Sequence, residues 1–170
     1  MKARFAMGLA ALALVGVGAA RADDYALKKE LQGQYGKLAG AILRKDFQAV
    51  RQMVTPDASW KLLDGKKRDL KQMEGVYRRR VAALKPGIQF TVSISRMTPQ
   101  GKEEQVECTH VFAGFKTDGK GKTHHLFEGS AWRDLWTKTA HGWKLKRSEQ
   151  VNQRQSVDGK PVTTPVLPST

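Results

Sequence analysis

Residues 131–145 read Ala131-Trp132-Arg133-Asp134-Leu135-Trp136-Thr137-Lys138-Thr139-Ala140-His141-Gly142-Trp143-Lys144-Leu145. Trp132, Asp134 and Trp136 alternate with Arg133 and Leu135. That period of two is the mark of a β-strand, because successive side chains point to opposite faces. Ala140-His141-Gly142 is a tight connection, and alternation resumes in Trp143, Leu145, Arg147, Glu149 and Val151. The reading is a pair of antiparallel strands, 123–137 and 143–153, joined by a short turn.

The same period extends upstream. Val106, Cys108, His110 and Phe112 share one face of a strand at 105–115. Ile88, Phe90, Val92 and Ile94 alternate with Gln89, Thr91, Ser93 and Ser95. Pro99-Gln100-Gly101 and the polar run 117–122 separate these strands. Before residue 88 the period is helical. Leu27, Leu31, Tyr35, Leu38 and Ile42 form one stripe of a helix at 23–45. Asp46 is placed to cap a short helix carrying Phe47, Val50 and Met53, which Thr55-Pro56-Asp57 stops. Ala58 to Leu63 is a short apolar-rich piece, and Asp64-Gly65 is a turn. A third helix at 69–84 carries Leu70, Met73, Val76 or Tyr77, Val81 and Leu84, with Arg78, Arg79 and Arg80 mostly on its solvent side. Lys85-Pro86-Gly87 ends it. Helices first and an antiparallel sheet afterwards give an α+β fold with the helices on one face of the sheet.

The chain has 170 residues, 40% hydrophobic and 8% aromatic, enough for a packed core and against full disorder. Lys2 and Arg4 precede the apolar run 7–20, and Ala20-Arg21-Ala22 offers a small-x-small cleavage site. This is the layout of an export signal, 1–22, and the run is short for a spanning helix; the alternative is a retained anchor. Residues 23–160 then form one domain, with 161–170 a loose tail, and the expected location is the bacterial periplasm or beyond. Cleavage removes three cations and no acid, lowering the net charge from +14 to +11. The single cysteine excludes an intramolecular disulfide and zinc sites built on paired cysteines.

Taken together, the 131–136 and 141–145 pieces, Asp46-Phe47 and Thr55-Pro56-Asp57-Ala58 resemble the nuclear transport factor 2-like superfamily, in its SnoaL-like and ketosteroid-isomerase-like branch. The likeness spans about 27–157. It implies a cone: N-terminal helices against a strongly curved, mostly antiparallel sheet, an interior pocket and frequent homodimers through the sheet. It implies no one function, since isomerases, dehydratases, epoxide hydrolases and binding modules share the fold. In the ketosteroid isomerases the catalytic Asp follows the Asp-Ala piece by a few residues. That position falls here at Leu62, with Asp64 two residues on in a turn, so isomerisation by that route lacks its base.

Strand parity gives the candidate pocket. Trp132, Asp134 and Trp136 are assigned inward, with Cys108 and His110 on one neighbouring strand and Arg147 and Glu149 on the other. Tyr35 joins them from the first helix, and Trp60 is placed near the mouth. His110 with Asp134 is the candidate acid/base pair, the carboxylate orienting the imidazole and favouring its charged form; the alternative is a half-buried, satisfied histidine. Arg147 and Glu149 read as a buried salt-bridge network with Asp134, or Arg147 as the binder of an acidic ligand. Cys108 is a small core residue or a nucleophile. His124-His125 point to opposite faces, and no ligand spacing for a metal is present; no cofactor motif occurs either.

Three readings of function follow. The first is a domain binding a small, largely apolar ligand. The second is a small-molecule lyase, isomerase or hydrolase acting through Asp134 and His110. The third is an interaction module whose basic clusters bind anionic partners weakly. Aromatic residues are not interleaved with those clusters, so specific nucleic-acid binding lacks a stacking platform.

Overall fold

The computed structural model describes residues 15–163, with side chains from Asp24 onward. The signal 1–22 and the tail 161–170 therefore fall largely outside the described residues. Chain order is α1 (Val15–Leu43), α2 (Phe47–Met53), β1 (Val54–Lys61), β2 (Lys67–Asp69), α3 (Leu70–Ala82), β3 (Gln89–Gln100), β4 (Glu103–Thr117), β5 (Thr123–Thr139), β6 (Gly142–Val157) and β7 (Lys160–Val162). Among the described residues no helix is long and apolar enough to cross a membrane.

Local chemistry sets the helix starts. Asp46 accepts from the Ala49 amide at 3.0 Å, and Asp69 and Gln72 close a reciprocal capping box at the head of α3. Each satisfies amides that a helix leaves unpaired at its first turn. At the other end of the chain Asp158 (φ 50°) and Gly159 (φ 77°) form the two-residue turn from β6 to β7, the Asp-Gly chemistry that such hairpins favour. β7 pairs with β6 through Pro161 and Val162, so the sheet runs past the boundary set at residue 160.

The seven strands form one open, curved, mixed sheet, β2-β1-β6-β5-β4-β3, with β7 also on β6. β1 runs parallel to β6, and the other pairs are antiparallel. The α+β class and the cone with N-terminal helices on a curved sheet are as the sequence implies. The stripe of α1 is buried as expected: Leu31, Tyr35 and Ile42 are nearly inaccessible. They pack with Trp60, Val106, Trp132, Trp136 and Leu145 in one cluster, or with Phe47, Val81 and Phe112 in a second.

β4 and β5 pair without interruption, so parity counted along them holds. β6 is different. Leu135 pairs with Arg147, but Trp136 pairs with Leu145, leaving Lys146 as an extra residue. A second extra residue, Val151, lies between the pairs Ala131–Asn152 and Trp132–Gln150. Each bulge turns the following side chains to the opposite face.

Arg80 departs from the solvent-side reading of α3. Its Nη1 donates to Glu128 Oε1 at 2.7 Å, with both side chains buried, and Gln155 Nε2 donates to Glu128 Oε2 at 2.7 Å. This cluster ties α3 to β5 and β6.

Candidate functional site

Four elements bring the site together. Tyr35 comes from α1, Cys108 and His110 from β4, Asp134 and Trp136 from β5, and Ser148 from β6. Asp134 is 1% exposed. Its Oδ2 accepts from the Tyr35 hydroxyl at 2.7 Å and lies 3.5 Å from the Cys108 Sγ donor. Its Oδ1 accepts from Ser148 Oγ at 2.6 Å. Trp136 Nε1 donates to the Tyr35 oxygen at 2.8 Å. Burial pushes the Asp134 carboxyl up to about 6, against the downward pull of hydrogen bonds from Ser148, Tyr35 and Cys108. The same burial, with Asp134 nearby, raises both the Tyr35 hydroxyl and the Cys108 thiol well above their usual ranges.

His110 stands beside this group. Its Nε2 is 3.5 Å from Cys108 Sγ and 3.9 Å from Asp134 Oδ2. The second distance is too long for a hydrogen bond. The ring stacks on Trp132 with centroids 5.0 Å apart and 20° between planes. Burial, then the charge of Arg80, depress His110 to about 3. The carboxylate-raised imidazole expected from the sequence is thus corrected: His110 is neutral, and Asp134 is the group poised near neutrality. A carboxyl in that range can give or take a proton.

Asp134 and Ser148 lie at the polar end of an apolar cavity of about 20 Å³, lined also by Tyr35, Trp60, Phe90, Tyr77, Leu145 and His110. That is room for about one water molecule. Trp60 is buried and lines the cavity. Cys108, Trp132 and Trp136 are buried inward as expected, next to the cavity lining rather than in it.

Arg147 and Glu149 are the misplaced pair. The bulge at Lys146 turns Arg147 outward, where it is exposed. Glu149 accepts from Lys61 at 3.0 Å and lies 3.7 Å from Arg133. No salt-bridge network reaches Asp134 through them; Ser148 takes the inward place. Nothing in the residue pattern around Ser148 signals this, because the bulge is a property of the pairing with β5. Glu74 was also missed. It lines the cavity from α3 and holds Arg51 bidentately, at 2.8 and 2.9 Å. Asp64 is bound to Arg68 at 2.7 Å and does not line the cavity, so the position of the isomerase base stays without a carboxylate. His124 bridges Asp158 and Asp118 at the surface, at 2.8 and 3.2 Å.

No protein-family profile matches the chain. No characterised protein sequence matches it either. Solved structures do. A nuclear transport factor 2-like protein with a cystatin-like fold from Novosphingobium aromaticivorans superposes with a TM-score of 0.60 at 16% identity, over 82% of this chain and 90% of that one. A nuclear transport factor 2-like superfamily protein from Salmonella enterica gives 0.58 at 17% identity, over 84% and 96%. A conserved protein from Planctomyces limnophilus gives 0.60 at 12%, over 84% and 99%. At these identities the likeness is one of fold.

Proposed function

From a chain with the nuclear transport factor 2-like fold, we infer an exported domain that holds a small, largely apolar ligand inside the cone, its polar end against Asp134. One observation carries this reading. A buried carboxylate with three neutral hydrogen-bond donors lines a mostly apolar cavity whose other carboxylate, Glu74, is paired with Arg51, the pattern of a site that orients a ligand by a few polar groups. The cavity holds about one water, so a larger ligand is admitted by side-chain displacement. Tyr77 on α3 and Phe90 on β3, ring centroids 6.5 Å apart, line the cavity and are only partly buried, which makes them the movable wall. Export rests on the sequence of residues 1–22.

Asp134 and His110 both line the cavity, and this supports acid/base catalysis on the bound molecule as the second reading. Phe115 and Phe127 are exposed on the outer face of β4 and β5. They support a second copy of this chain as the partner across the sheet, and the net charge of +11 left after cleavage supports weak attraction of anionic surfaces.

The test is native mass spectrometry of the protein purified from an exporting host at moderate salt, followed by thermal-shift screening against small apolar compounds. A discrete organic adduct, or a saturable stabilisation lost in Phe90→Trp, is the expected result. Adduct-free protein with no stabilising compound overturns the reading.

A further inference from the structure

We propose that Cys108, His110 and Asp134 form a site for a divalent transition-metal ion of the zinc type. The inference shares with the reading above the premise that the Asp134 end of the cavity is the functional centre.

The geometry is that of three corners of a tetrahedron. Cys108 Sγ lies 3.5 Å from His110 Nε2 and 3.5 Å from Asp134 Oδ2, and the latter two are 3.9 Å apart. Zinc bonds of ~2.3 Å to sulfur and ~2.0–2.2 Å to nitrogen or oxygen place tetrahedral ligands roughly 3.3–3.6 Å from one another. The ion fits with shifts of a few tenths of an ångström. A thiolate, an imidazole and a carboxylate favour zinc or its neighbours over calcium or magnesium, which prefer oxygen alone.

The scaffold is a pair of adjacent strands. Cys108 and His110 are two apart on the inward face of β4, and Asp134 is on β5, in a stretch paired without a bulge. The supporting contacts suit a metal centre. Ser148 holds Asp134 Oδ1, which leaves Oδ2 directed at the cluster. Trp132 fixes the plane of the His110 ring. Such outer contacts orient ligands and set affinity. Tyr35 is 2.7 Å from Asp134 Oδ2, a hydrogen-bond length, so it remains a partner of the carboxylate. Two of the three ligands, His110 and Asp134, line the cavity, so a fourth ligand supplied from it is water or the bound molecule.

Charge also balances. Binding forms a sulfur–metal bond and releases the Cys108 thiol proton to solvent. A dication with one thiolate and one carboxylate is neutral, which a buried site requires. His110, its side chain 12% exposed, is the member nearest solvent and marks the path of exchange.

The experiment uses the full chain, stripped with a chelator and titrated with cobalt(II), then zinc(II). The expected result is one equivalent of cobalt bound, with a sulfur-to-cobalt charge-transfer band in the near ultraviolet that one equivalent of zinc removes. Cys108→Ser abolishes the band, His110→Gln weakens binding, and Ser148→Ala lowers zinc affinity about 10–100-fold. Far-ultraviolet circular dichroism checks folding of each variant; should Cys108→Ser unfold, His110→Gln carries the comparison. Folded wild-type protein without the band, or a band that survives Cys108→Ser, overturns the proposal. An organic adduct on protein that takes up no metal sinks this inference alone; metal uptake by a chain that binds no organic compound sinks the ligand reading alone.

Discussion

Ser148 and Asp134 face each other directly across β5 and β6, and the Ser148 hydroxyl donates to Asp134 Oδ1 at 2.6 Å. The serine reaches this place only because Lys146 bulges out of β6 two residues earlier. A surface irregularity thus determines which side chain meets the buried carboxylate.

Ser148→Ala removes one of the donors to a carboxylate with almost no contact to water. The expected loss is about 1–3 kcal/mol of folding free energy, read from urea unfolding. In a double-mutant cycle with Asp134→Asn the two changes should couple by roughly 0.5–3 kcal/mol. Strict additivity would show that the bond contributes nothing.

Deleting Lys146 removes the extra residue and leaves Leu145 and Arg147 consecutive opposite Trp136 and Leu135, so Arg147 stays outward and Ser148 inward. The deletion should keep cooperative unfolding, and Ser148→Ala should remain destabilising in the deletion background. Lys146→Ala keeps the backbone count and loses only a partly exposed ion pair with Glu103, a change of about 0–1 kcal/mol. Loss of cooperative unfolding in the deletion variant would refute the reading of Lys146 as the extra residue.

Arg80 and Glu128 form a buried ion pair between α3 and β5. Glu128→Gln removes the carboxylate charge that this buried cation faces and should cost about 3–5 kcal/mol. Arg80→Met with Glu128→Leu removes both charges and should cost clearly less. Chemical denaturation of the single and double variants decides the matter, and a double variant worse than the single contradicts it.

The His124 cluster gives a pH dependence. Hydrogen bonds to Asp158 and then Asp118 raise the histidine above 6.5. Asp158 is lowered from 3.8, first by His124 and then by the His125 amide. Asp118 is lowered first by the Lys122 amide and then by His124, with the Lys120 amide adding to this. The raised histidine stabilises the fold fully below pH 6.5, and this is lost as pH climbs through its folded value. The lowered carboxylates stabilise above 3.8, and this is lost as pH falls through theirs. The melting-temperature difference between wild type and His124→Gln should therefore be largest between about pH 4 and 6.5 and vanish by pH 9. A difference independent of pH rules out the charged bridge.

For the partner across the sheet, Phe115→Lys with Phe127→Lys adds charge to the outer face of β4 and β5. Light scattering during gel filtration should show a dimeric wild type and a monomeric variant, with circular dichroism unchanged. A monomeric wild type at micromolar concentration removes this proposal.

The order of the three helices and of β3 to β6, the α+β class, the caps at Asp46 and Asp69 and the inward parity of β3, β4 and β5 were legible in the sequence, whereas the short strands β2 and β7 were not. Each rests on local rules: a period of 3.6 or 2, a side-chain oxygen before a helix, a glycine at a turn. Asp134, Cys108, His110 and Tyr35 were found on that basis. Arg147 and Glu149 failed because parity survives only while every residue in a strand has one partner. Whether β6 bulges depends on its fit to β5, not on its own composition. Arg80 looked exposed because only the arrival of Glu128 from β5 gives its charge a buried partner. The near-filled cavity, and a histidine kept neutral beside a carboxyl that titrates near neutrality, also belong to the tertiary structure. Both come from how tightly distant elements exclude water, and desolvation is a property of the packed surroundings rather than of any residue alone.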